Sequence, residues 1–178
     1  KCYSNNSWYN GNIMSSLNVN TINEYTSANG VTIDGVLIKD NKLASGTGNV
    51  LQVVSKNGDA AVTVNSTTYT ALVSVSITPS STSSKILLIA DGNGNPTSSG
   101  DWNRLRFFRD STEIGNTTKF QTSGASANIP FAHHTLDSPS STSAITYSIR
   151  AQQGGGTMTY GEDGAVESPT ITAIEVGG

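Results

Sequence analysis

Tyr69-Thr70-Ala71-Leu72-Val73-Ser74-Val75-Ser76-Ile77-Thr78-Pro79 sets Val73, Val75 and Ile77 against Ser74 and Ser76 and then stops at a proline. A period of two sends one residue type to each side of a pleated strand, apolar toward a core and hydroxyl toward water. The proline removes the N–H that would carry the ladder further. Outward from this stretch, further strands are predicted at 50–55, 86–90, 102–109, 129–136, 145–151, 157–160 and 170–176, separated by Gly, Ser, Pro or Asn clusters such as 91–100 and 137–143. Residues 86–90, Ile-Leu-Leu-Ile-Ala, form an unbroken apolar run, which predicts a central strand buried on both faces. No convincing helical period is present anywhere.

Eight short strands in residues 49–178 predict an all-β fold: an antiparallel two-sheet β-sandwich of Greek-key or jelly-roll type. The expected inner faces draw on Leu72, Val73, Val75, Ile77, Leu87, Ile89, Leu105, Phe107, Phe131, Leu136, Ile145, Tyr147, Ile149, Ile171 and Ile174. That is a modest core for such a domain, so association with further chains is expected to supply the remaining burial.

Composition agrees. The chain of 178 residues holds 25 Ser, 22 Thr, 17 Asn and 18 Gly, with only 13% charged residues, so its surface is polar without being ionic. Thr favours the pleated sheet, and Asn and Gly supply the corners. A net charge of -3 argues against nucleic acid, whose phosphates need clustered Lys and Arg. Arg104, Arg106 and Arg109 are the one basic cluster, bracketed by Asp101 and Asp110, and read as a solvated strand face. A single cysteine, Cys2, precludes an intrachain disulfide. No run reaches the length of a membrane span, and residues 1–13 lack the apolar stretch of a secretory signal.

Ahead of the sandwich the pattern is terser. Gly30-Val31-Thr32-Ile33-Asp34 and Gly35-Val36-Leu37-Ile38-Lys39 are two copies of a Gly turn followed by alternating apolar residues. Each is a strand of about three residues, too short to bury its own face. Residues 17–40 are therefore expected to form a short β-stem or anchoring segment, with Val31, Ile33, Val36 and Ile38 packed against sister chains, or an ordinary hairpin lying on the sandwich. Residues 1–16 are expected to be leader or linker, and 41–48 a flexible connection.

Little supports chemistry. The Gly-x-Ser-x-Gly pentad of a nucleophile elbow is missing. His133 and His134 are adjacent in an expected strand, so they leave opposite faces and cannot chelate one metal within a chain. Asp91, Asn93 and Asn95 have the opening spacing of a calcium loop, but Pro96 and Trp102 stand where its Gly and Glu belong. Glu162 and Asp163 adjoin in a Gly-rich loop and suit a solvated turn better than a positioned acid and base. No enzyme activity, metal or cofactor is expected. The best candidates for a glycan contact are Trp102 with its neighbours Asp101 and Asn103, followed by Tyr160.

Residues 20–40, Asn-Thr-Ile-Asn-Glu-Tyr-Thr-Ser-Ala-Asn-Gly-Val-Thr-Ile-Asp-Gly-Val-Leu-Ile-Lys-Asp, resemble the N-terminal signature of small virion fibre proteins of tailed phages. Ser74-Val75-Ser76-Ile77-Thr78-Pro79, Leu136-Asp137-Ser138-Pro139 and the closing 168–175 resemble the C-terminal sandwich of such proteins. The resemblance implies a homotrimeric tail or capsid fibre in the virion that contacts other virion proteins and a host-surface polysaccharide. The alternatives are a capsid decoration protein and a stand-alone carbohydrate-binding module.

Overall fold

The computed structural model describes residues 48–97, 102–121, 128–161 and 168–178 in full, and the backbone of 31–33, 36–39 and 42–43. The expected leader, Cys2, Asp101 and the Glu162-Asp163 pair lie outside the described residues. The chain divides into two compact units between Ala44 and Ser45, within the stretch expected to link them.

In the first unit the doubled pentapeptide makes two short strands, β1 (Val31–Ile33) and β2 (Val36–Lys39), and a third, β3 (Lys42–Leu43), follows. They form an antiparallel sheet in chain order, with Val31 opposite Ile38 and Ile33 opposite Val36. β3 occupies residues expected to be linker.

The second unit is all-β, two antiparallel sheets in a jelly-roll-like arrangement. One sheet has the order β4 (Val50–Asn57), β13 (Thr170–Val176), β7 (Lys85–Pro96), β12 (Met158–Tyr160), β5 (Val62–Val64). Strand β10 (Ile129–Asp137) pairs along the other side of β7. The second sheet has the order β6 (Thr70–Ile77), β11 (Ile145–Gln153), β8 (Trp102–Arg109), β9 (Thr112–Gln121). Long β7 organises the first sheet, borrowing β13 for its first half and β12 for its last three residues.

The alternation in residues 69–77 does what it should. Leu72, Val73, Val75 and Ile77 are buried, and meet Leu88, Phe107, Tyr147, Ile149 and Ile171 in one core between the sheets. Two strands of this unit escape prediction. β9 has only Ile114 and Phe120 as apolar residues and carries Gly115 at φ 65°, which blurs any alternation. β5 has only three residues. At Gly115 the left-handed turn and a close Thr135 side chain leave no room for a Cβ.

Among the described residues one carboxylate lies inside. Glu175, on the inward face of β13, accepts hydrogen bonds from the Ser80 N–H (2.7 Å), the Ser80 hydroxyl (2.6 Å) and the Gln52 amide (2.6 Å). It pins the β6–β7 connection to the sheet. Burial alone would raise its pKa, but the hydrogen bonds from Ser80 and Gln52 outweigh it and hold the carboxyl at about 2.

The expectation for residues 86–90 requires correction. Ile86, Leu88 and Ala90 are fully buried, whereas Ile89 is 40% exposed and Leu87 half-buried. The strand is central, with neighbours on both edges, but only one of its faces is covered.

Candidate functional site

The expected glycan residues are separated by the fold. Trp102 opens β8, and its ring lies against Gly154, where a Cβ would overlap the indole. The Arg104 guanidinium sits 4.4 Å from the ring centroid, and the Lys119 ammonium approaches to 5.7 Å. The Gly154 backbone packs against the indole and the cations lie over its ring, so it is not a free stacking platform. Asn103 and Tyr160 are not placed to meet a sugar, since both side chains are buried in the sandwich interior. Burial keeps the Tyr160 hydroxyl well above the ordinary phenol range.

The arginines of β8 are tied into the protein. Arg106 reaches Glu113 at 2.8 Å and the Gly115 carbonyl at 3.2 Å, and Arg109 grips both oxygens of Asp137 at 3.2 and 3.0 Å. The Tyr147 hydroxyl donates to the same carboxylate at 2.7 Å. A phosphate would have to displace these carboxylates.

His133 is buried and its ring stacks on Phe107 at 5.1 Å. Its Nδ1 lies 2.8 Å from the Thr118 hydroxyl and its Nε2 lies 3.0 Å from the Asn116 carbonyl. Nε2–H donates to that carbonyl, which leaves Nδ1 to accept from Thr118. Burial lowers its pKa, opposed by the Asn116 hydrogen bond and assisted by the His134 charge. Exposed His134 faces the other side of the strand. Among the described residues no three His, Cys, Asp or Glu side chains converge on a metal position.

Asp91, Asn93 and Asn95 lie on a straight strand instead of a turn, alternate residues on one face, so they cannot close around one cation. Asp91 and Asn93 line an open cleft of about 390 Å³ with Gly92, Pro130, Phe131, Ser168 and Thr170.

The feature that sequence reasoning misses is the outward face of the first sheet. Register places Val53 opposite Ile174, Ile174 opposite Leu87, and Leu87 opposite Leu136, so four strands contribute one apolar row without a polar interruption. Directly opposed residues share a face. Val53 and Leu136 are each 56% exposed, and Val50, 62% exposed, pairs with Val176 in the row below. The row above reads Ser55, Thr172, Ile89, His134. Leu87, Ile89, Leu136 and Ile174 are all expected in the core from sequence, and all four point away from it. Val50, Val53 and Val176 give no sign in the sequence.

No helix among the described residues is long and apolar enough to cross a membrane. No family model matches the chain, and no curated protein matches it. Among solved structures it is similar to a mutant VP2 protein of infectious bursal disease virus in derived T=1 particles, at 11% identity and a TM-score of 0.43, over 83% of this chain and 41% of that one. It is also similar to the T13 particle of the same virus, at 12% identity and a TM-score of 0.38, over 83% and 40%. A VP2 subviral particle gives 14% identity and a TM-score of 0.37, over 71% and 37%. The chain spans less than half the length of these structures, and the likeness is one of fold alone. None of these three structures is of a phage fibre, and the reading as a phage tail fibre attaching to host glycans is withdrawn.

Proposed function

We propose that the chain is a non-enzymatic structural protein of a virus particle, a shell or decoration component that works by packing against other virion proteins. The observation that carries this reading is the outward apolar row Val53, Ile174, Leu87, Leu136 across four strands, exposed at its two ends and half-buried between them. Singly exposed apolar residues need no explanation, but a contiguous patch on a charge-poor protein is a surface made to be covered by protein. The polar groups of the domain support the same view, because its arginines and His133 are engaged in holding strands together. Three-fold association of residues 31–39 with sister chains is the finer part of the proposal, supported by strands too short to bury a face alone.

The test is to locate the chain in intact virions by particle reconstruction. Density for the sandwich on or within the shell, with the apolar row against a neighbour, is expected. Absence of the chain from purified particles would refute the reading.

A further inference from the structure

We propose that Asn103 and Gln153 form a buried hydration site inside the sandwich, in which water bridges the two side-chain amides. This goes beyond the reading as a structural protein and does not depend on it.

Register sets the pair side by side. Along the inward faces of β8 and β11, Phe107 stands opposite Ile149, Leu105 opposite Ala151 and Asn103 opposite Gln153, and opposed residues share a face. All six are buried. Two apolar pairs are thus followed by a pair of amides, 1% and 2% exposed, where β8 begins and β11 ends. On the other side of Asn103, β9 places Phe120. Leu105, Ala151 and Phe120 offer these amides no hydrogen bond.

The backbone at this place is satisfied, and the side chains are not. The Gln153 N–H donates to the Ser66 carbonyl at 2.8 Å, and the Gly154 N–H to the Trp102 carbonyl at 2.9 Å. Oδ1 and Nδ2 of Asn103 and Oε1 and Nε2 of Gln153 all lack a hydrogen-bond partner among the described residues. Ser84, Arg106 and Tyr160 each leave a single buried atom in that condition, so the amide pair is the main concentration of unmet polar atoms in the described interior. Gln152, on the opposite face of β11, shows the ordinary arrangement. Its amide, oriented to satisfy both ends, donates to the Thr67 carbonyl at 2.6 Å and accepts from Arg104 at 3.0 Å. Buried amides as a rule find such partners, in protein or in ordered water.

The chemistry of the pair selects its ligand. Each amide offers an acceptor oxygen beside a donor NH2. A cation would suit the oxygens and oppose the NH2 groups, an anion would do the reverse, and either would set an unpaired charge beside Leu105 and Ala151. A single direct bond between the amides would still leave one oxygen and one NH2 unmet. Water both donates and accepts, and two amides can supply the roughly three hydrogen bonds that a buried molecule makes.

A high-resolution crystal structure of the full chain should show ordered water within about 2.7–3.2 Å of both amides. In solution, nuclear magnetic resonance of the isotope-labelled chain should give through-space cross-peaks from both side-chain NH2 groups to water. Asn103→Leu and Gln153→Met should each raise the unfolding constant about tenfold. The two together should raise it by well under the product, because the second change removes a group that the first has left short of partners. Effects that multiply in full overturn the shared site. Amides bonded directly to each other with no density between them, or an ion or organic molecule in that position, overturn water as the ligand. Should either variant fail to fold, the crystal structure and cross-peaks of the unsubstituted chain decide.

Discussion

Leu87 and Leu88 are identical in chemistry and adjacent in sequence, yet Leu88 is sealed between two sheets and Leu87 looks outward. The same division runs across the whole sheet. The inner face carries Ile86, Leu88, Ala90, Ile171 and Ala173, all buried, with Glu175 held by hydrogen bonds among them. The outer face carries an equally apolar row with nothing of the second sheet over it. A sheet with one wet face is normally apolar inside and polar outside, as β6 is with Ser74 and Ser76 outward. The difference teaches that β7 and its neighbours bury one apolar row on folding and turn a second one outward.

The largest expected effect is on the inner face. Leu88→Ala should cost about 2–5 kcal/mol through lost transfer energy and a cavity. Leu87→Ala should cost less than about 1 kcal/mol. Urea denaturation of both variants checks this pair, and equal losses would break the contrast between faces.

Glu175→Gln comes next, at on the order of 2 kcal/mol, because the hydrogen bonds from Ser80 and Gln52 then meet a neutral group. Its pH dependence has a definite sign. The carboxyl titrates at about 2 in the folded chain against an ordinary value of 4.5. Its contribution is complete above 4.5 and is lost as pH falls toward 2. Denaturation midpoints from pH 6 to pH 2.5 should fall steeply for the native chain and less steeply for Glu175→Gln.

His133 gives a smaller effect of the same sign. Burial lowers its pKa from 6.5, so the neutral ring favours the fold, and acidification below 6.5 progressively removes that contribution. Hydrogen exchange should show the β9 amides near Asn116 and Thr118 loosening first as pH falls, since those residues are the ring's partners. Smallest of all is the effect of Leu136→Asp on the isolated fold. Dilute thermal unfolding should move by no more than about 0.5 kcal/mol, because the aspartate stays in water.

Much of the fold is legible in the sequence. Residues 102–109 and 170–176 are readable to their ends as β8 and β13, since bulky alternating residues fix a strand strongly. β9 is not, because between Thr112 and Gln121 only Ile114 and Phe120 are apolar, too far apart to show a period of two, and pairing with β8 places them. The candidate site is legible in part and for the wrong reason. An unbroken run at 86–90 signals a strand with two apolar faces, but nothing in the run says that folding covers only one of them. Trp102, Asn103 and Tyr160 draw notice as exposed recognition residues, yet sequence does not reveal that Gly154 opens a slot for the indole or that the other two face inward.

Composition and period two determined the class of the molecule by themselves: an all-β sandwich, poor in charge. Which apolar residues meet which is a matter of register between strands distant in sequence, because a period of two names two faces without saying what covers either. Only the tertiary structure put Val53, Ile174, Leu87 and Leu136, from four separate strands, into one row and left that row open.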